Sequence, residues 1–425
     1  MMAEVEYISG IKRAVILFDD YTISREALPA IRQMAPEASY VATIRSGTLD
    51  YRSKEVSKLF GRKLATLDLN WVERDEFQKF DNWATQAGVV ASEHREGYGQ
   101  LRHIREFILD KYENSQILRD RVAGLADALK TDRSAFRSFV VLMIFRHIGE
   151  AHQSDMIAYR VLGYDAQTSM VDFADLWGEV SDEAGTVGSS IFSEFVIANF
   201  VDADDLLRIV EEIVGAVSEE RRTSKRDDAI FAKCLNFGQL YRLCGGDDAA
   251  TDAIVSAYDR LRKNAFVSDQ PLFWLQVAIA MTAKEDYRRA WEYIEVAYSK
   301  VNKDFEPYHI DTKALEVLFR LGAIQGEKFG TKELRGLSHA LERCVAMISN
   351  DRNRTDVLRA LSHSVGFFQV RAAELSQADS VRMMVYLGKA SQQLGNLSAE
   401  ARAYQGTDEV KALVDAAINE IKSVG

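Results

Sequence analysis

The chain has 425 residues, of which 47% are hydrophobic and 28% charged, with a formal net charge of −11. Such a chain can bury substantial cores, and its length suggests roughly two to four domains. Its acidity argues against a general affinity for nucleic acid, whose phosphates repel an acidic surface. No apolar run approaches the ~20 residues that a membrane-spanning helix needs.

The apolar stretch near the start is flanked by acids and reads as neither a signal peptide nor an anchor. The cysteines, Cys234, Cys244 and Cys344, are scattered and odd in number. They form no disulfide framework or CxxC pair, which fits a reducing cytoplasm. His147 and His152 sit five residues apart rather than the four of HExxH, about 140° round a helix, so no metal site is expected there. Prolines are confined to Pro29, Pro36, Pro271 and Pro307, which permits long helices between Pro36 and Pro271.

Ala14–Phe18 is a continuous apolar run ending in Asp19 and Asp20, and reads as a buried strand. A helix is expected from Ser24, a plausible N-cap, to Met34. Tyr40–Ile44, β-branched and ending in Arg45, reads as a second strand, so the segment is a parallel βαβ unit. Leu64–Leu69 is a candidate third strand.

From Val72 onward the pattern turns helical. Helices are expected over Glu73–Gln86, with Phe77, Phe80, Trp83 and Ala84 at helical spacing. They are also expected over Leu101–Tyr112, Ile117–Leu129 and Phe136–Ile148. Met156–Phe200 is glycine-rich and reads as small helices with a β-wing. Asp205–Val217 is an amphipathic helix with Leu206, Val210, Ile213, Val214 and Val217 on one face. The mixed charges of Ser218–Asp228 suggest a solvated connection.

After Ala229 the chain is helix after helix. Trp274, Val277, Ala278, Met281, Ala290, Ile294 and Ala297 reproduce the alternation of large and small residues in a tetratricopeptide repeat. The small residues let two antiparallel helices approach, and the turn falls at Lys284-Glu285-Asp286. Asp252–Arg262 and Ile310–Leu321 read as degenerate copies, and an ordinary helix bundle is the simpler alternative. Phe273 and Trp274 are candidate ligand-binding residues of the repeat, while Arg288 and Arg289 are expected near solvent with little weight in stability.

Val15-Ile-Leu-Phe-Asp19-Asp20 fits a Walker B strand, in which an acid at the carboxyl end holds the water shell of Mg²⁺ and a second orients the attacking water. Arg45, ending the next strand, stands where P-loop ATPases place a sensor for the γ-phosphate. No GxxxxGK[ST] loop exists in the chain. The look-alike Gly326-Glu-Lys-Phe-Gly330-Thr-Lys has the wrong spacing and lies among helices. Without that loop the phosphates have no cradle.

The order of these parts resembles the STAND class of signalling ATPases, relatives of NACHT and NB-ARC proteins, including bacterial members that act in anti-phage defence. Leu67–Glu76, Ser190–Val196 and Pro271–Ala280 are similar to stretches of those proteins. The resemblance implies a mainly α protein with four parts. Residues 1–70 would be the C-terminal part of a P-loop ATPase core, 71–133 a helical domain, 134–204 a winged helix and 205–425 a tetratricopeptide-like solenoid.

It further implies Asp19, Asp20 and Arg45 as catalytic-type residues, with ATP and magnesium bound only if a Walker A half is supplied. The repeats would bind a protein ligand, with an effector and the Walker A portion lying elsewhere, and homo-oligomerisation is left open. Hydrolysis by this chain alone is not expected. The rival reading is a helical-repeat scaffold or adaptor with no nucleotide role.

Overall fold

The structure is a computed structural model. It describes residues 14–18, 27–44, 56, 60, 71–86, 101–148, 161, 190–221, 228–302, 307–349, 351–397 and 406–424. The chain is mainly helical with a two-stranded parallel sheet and a short antiparallel pair. It divides into two compact units, Met1–Cys234 and Leu235–Gly425. No helix among the described residues is long and apolar enough to cross a membrane.

The first unit opens with β1 (Val15–Phe18), α1 (Leu28–Met34) and β2 (Ser39–Ala42). The strands pair in parallel with Phe18 opposite Ala42. Phe18 packs with Leu28 and Ile31 of α1 and with Val56, so one sheet face is covered. The other is not: Val15 is 66% and Leu17 65% exposed. Parallel strands are usually buried on both faces, and an all-apolar strand such as Val15-Ile-Leu-Phe18 reflects that habit. Helix α1 begins later than the spacing predicts. Its N-cap, Ala27, gives no side-chain hydrogen bond, Pro29 stands in its first turn, and Ser24 lies outside the described residues.

β3 (Trp71–Glu73) leads into α2 (Arg74–Gln86) and pairs antiparallel with β4 (Leu101–His103), which leads into α3 (Ile104–Glu113). The expected helix over Leu101–Tyr112 therefore starts as a strand, because its first residues find a partner in β3. α2 buries Asp81 against Lys111, and Phe77 meets Phe107 edge-on at 4.8 Å. Of the apolar residues at helical spacing, Phe80 and Trp83 are 43% and 69% exposed, and the face turned to α3 runs through Phe77 and Asp81 one turn apart.

α4 (Gln116–Lys130), α5 (Arg133–Ile148), α6 (Ser190–Phe200) and α7 (Ala203–Arg221) complete this body. α5 buries the consecutive run Phe139, Val140 and Val141, so its middle is covered on more than one face, while Arg133 and Ser134 at its start are exposed. α7 buries Leu206, Val210, Ile213, Val214 and Val217, as its amphipathic pattern requires. α8 (Asp228–Leu235) follows. The winged-helix and β-wing expectations fall largely on 149–160 and 162–189, outside the described residues, as does the third strand at Leu64–Leu69.

The second unit holds α9 (Phe237–Leu243), α10 (Asp248–Leu261), α11 (Ala265–Ser268), α12 (Pro271–Ala283), α13 (Tyr287–Ser299), α14 (Tyr308–Gly322) and α15 (Thr331–Met347). α16 (Asp351–Leu361), α17 (Ser364–Arg371), α18 (Gln377–Gly395) and α19 (Thr407–Val424) close it. Side-chain caps start several helices: Asn236 accepts from Gln239 N, Asp247 from Ala250 N, and Asp286 from Arg289 N.

α12 and α13 form a hairpin turning at Lys284-Glu285-Asp286, where Glu285 takes a φ of 59°. Ala278, Ala290, Ile294 and Ala297 are each 0% exposed, as close helix approach demands. The core continues through α14, whose Ile310, Ala314, Leu315, Val317, Leu318 and Phe319 are all buried.

Candidate functional site

The carboxyl edge of the parallel sheet is set by the register of its two strands. Thr43 N donates to Phe18 O at 3.0 Å, extending the ladder by one step, and the Phe18 and Tyr40 rings stack at 6.2 Å. The Tyr40 hydroxyl donates to Ala35 O, closing the turn between α1 and β2. Burial raises the proton affinity of that phenol, and the Arg32 guanidinium partly offsets it. Both strands thus end at one edge, where the sequence continues into Asp19-Asp20 and, past Ile44, into Arg45. Asp19, Asp20 and Arg45 themselves lie outside the described residues.

The two repeat candidates have different surroundings. Phe273 is 0% exposed and meets Tyr258 edge-on at 5.9 Å. Tyr258 in turn donates to Leu235 O at 2.6 Å. Trp274 is half-buried: its Nε1 donates to Ser268 O at 2.7 Å, and its ring stacks on Tyr293 at 5.7 Å. It faces a tight groove lined by Val255, Asp259, Arg262, Val277 and Arg289. Arg262 pairs with Asp259 and Arg289 with Asp286, so the rim is charge-balanced. The groove has a volume of about 10 Å³, room for about one water, and Phe273 supports the Trp274 ring from the core at 5.2 Å.

The glycine-flanked look-alike forms the turn between α14 and α15. Gly326, Glu327, Lys328, Phe329 and Gly330, with Arg288 and Glu333, line an open cleft of about 670 Å³. The amino end of α15 is already filled. Glu333 Oε2 accepts from Gly330 N at 2.9 Å, so a carboxylate occupies the position an anion would take.

Arg288 is not the idle surface residue that the repeat spacing suggests. It reaches Glu327 at 2.9 Å and Glu333 at 2.7 Å and also donates to Lys328 O. Burial works against its charge, but the bonds from Glu327 and Glu333 outweigh this and raise its proton affinity. From the opposite side Arg371 donates to the carbonyls of Gly322 at 2.8 Å, Ile324 at 3.0 Å and Glu327 at 2.7 Å. Two arginines therefore fix this turn.

A second polar group joins α13, α14 and α15. Asp311, 1% exposed, accepts from Tyr298 Oη at 2.8 Å and from Arg343 Nε at 2.6 Å. Burial and the Asp311 carboxylate push the Tyr298 phenol far up. A third group comprises Lys313, Glu316 and Arg320 of α14, Tyr287 of α13 and His363 between α16 and α17. These groups escape sequence reading because their partners come from distant helices with no shared spacing.

Cys234, Cys244 and Cys344 are free, and burial pushes the Cys234 thiol up to about 12. Such a thiol is not a nucleophile at neutral pH. Among the described residues no three His, Cys, Asp or Glu side chains gather as a metal site would require, and His152 lies outside them. No family profile, curated protein or solved structure matches the chain.

Proposed function

We propose that the chain is the sensor and regulatory portion of a nucleotide-switched signalling protein of the STAND kind, acting in anti-phage defence. Its helical unit would be a tetratricopeptide-like array that binds a protein ligand. The observation that carries the reading is the parallel pairing of β1 and β2 in register, Phe18 opposite Ala42. It brings the strand that precedes Asp19-Asp20 and the strand that precedes Arg45 to one edge, the arrangement that phosphoryl-transfer chemistry uses. The α12–α13 hairpin, which buries Ala278, Ala290 and Ala297, supports the array.

In this reading Asp19 and Asp20 would hold a magnesium ion, which would supply charge stabilisation for phosphoryl transfer, and turnover would need a phosphate-binding loop supplied from outside residues 1–425. The reading frame upstream of Met1 and the adjacent genes are the place to test this. A buried strand followed by GxxxxGK[ST] supports the proposal. If neither place encodes one, the nucleotide role falls and the helical-repeat scaffold replaces it.

A further inference from the structure

Arg320 Nε donates to His363 Nε2 at 3.2 Å. A guanidinium has no acceptor and stays charged across the working pH range. The imidazole nitrogen facing it must therefore be the acceptor, with the ring neutral and its proton on Nδ1. Arg320 is itself held in place. Its Nη1 donates to Tyr287 Oη at 3.0 Å, its guanidinium lies 5.6 Å from the Tyr287 ring centre, and Glu316 stands 3.8 Å away. One side chain of α14 thus ties α13 on one side to the turn between α16 and α17 on the other.

We propose that this contact is an acid-operated clasp, in which protonation of His363 releases the turn between α16 and α17 from α14. A proton on Nε2 removes the acceptor and sets two cations against each other. The charged groups that bear on the imidazole all come from α14: Arg320 and Lys313 disfavour its proton, and Glu316 favours it. Glu316 is already engaged by Lys313 at 2.6 Å, so it cannot fully offset the two cations. From α13 the Tyr287 hydroxyl touches Arg320 rather than the ring.

Burial first, and then Arg320, hold the His363 imidazole below its ordinary 6.5. The folded chain therefore carries fewer protons here than the unfolded chain. The clasp's contribution is whole above that value and is lost as pH falls below it. Phe319 packs on Phe367 and Phe368 beneath the turn, so the opening is local rather than a loss of the unit.

The test uses the full chain and compares it with His363→Gln, whose side-chain oxygen can accept from Arg320 but cannot titrate. Hydrogen exchange over residues 356–368, corrected for the intrinsic pH effect, is measured from about pH 7.5 to about pH 5.5. The expected result is a several-fold loss of protection in wild type that is absent in His363→Gln. Equal losses in both, or none in wild type, overturn the proposal. If His363→Gln fails to fold, ¹⁵N-histidine spectra of wild type decide. An Nδ1–H tautomer that titrates below free imidazole sustains the clasp, and an Nε2–H tautomer at neutral pH eliminates it.

Discussion

The ring of Phe367 lies so close to Gly322 that a Cβ on the glycine would fall 2.3 Å from two ring carbons. Phe367 is 0% exposed and cannot swing aside. Gly322→Ala is expected to destabilise the second unit by about 1–3 kcal/mol through overpacking. The control is Gly388→Ala on α18, where a Cβ would meet nothing within 4 Å. That change should be neutral or stabilise by up to about 1 kcal/mol. Chemical denaturation midpoints measure both.

The α12–α13 hairpin makes its own demand. Ala290 is 0% exposed, so Ala290→Phe puts a ring where the core holds a methyl, and should cost about 1–3 kcal/mol or more. Trp274→Ala should cost less than the roughly 3–5 kcal/mol of a fully buried Trp, since part of the indole is already in water. An Ala290→Phe protein as stable as wild type would overturn the proposed tetratricopeptide-like packing.

Arg371 and Arg288 hold the same turn but differ in burial, and this separates their expected effects. Arg371→Met removes the donor from the buried Gly322 carbonyl and from the partly exposed Ile324 and Glu327 carbonyls, and should cost about 1–3 kcal/mol. Arg288→Met leaves Glu327 and Glu333 able to reach water and should cost about 1 kcal/mol. Thermal unfolding of the two variants side by side gives the order.

Acid should weaken the second unit through Glu316. Burial alone would raise this carboxyl, but the Lys313 ammonium, then Arg320 and His363, hold it below the usual range. Its folded value lies under its unfolded one, so its stabilisation is present above about pH 4.5 and is lost as pH falls from there. Glu333 and Asp415 are held low too and contribute to the same acid limb. Glu316→Gln should make unfolding free energy shallower between about pH 5 and pH 3, read from urea titrations at each pH.

Purified chain is expected to hydrolyse ATP at background rate, and Asp19→Asn with Asp20→Asn should leave that rate unchanged. Turnover that disappears in the double variant would reveal a phosphate cradle formed by other residues of the chain.

Local pattern made several elements legible. The βαβ order follows from two apolar runs, α7 from its amphipathic face, and the α12–α13 hairpin from alternating large and small residues. What stayed hidden depends on partners far along the chain. Leu101–His103 forms a strand only because Trp71–Glu73 pairs with it. The weight of Arg288 comes from Glu327 and Glu333. His363 looks ordinary until Arg320 is beside it. Of the candidate site, the two strands were legible as apolar runs, and Asp19, Asp20 and Arg45 lie outside the described residues.

The half-covered sheet bears on how this protein behaves in a tube. Val15, Leu17 and Val41 place three large apolar side chains in water on one short ladder. Every copy then offers the same sticky strip to every other copy, so self-association should grow with concentration and with salts that strengthen apolar burial. A cosolute or companion chain that covers this strip would act first as a solubiliser, before it acts as anything else.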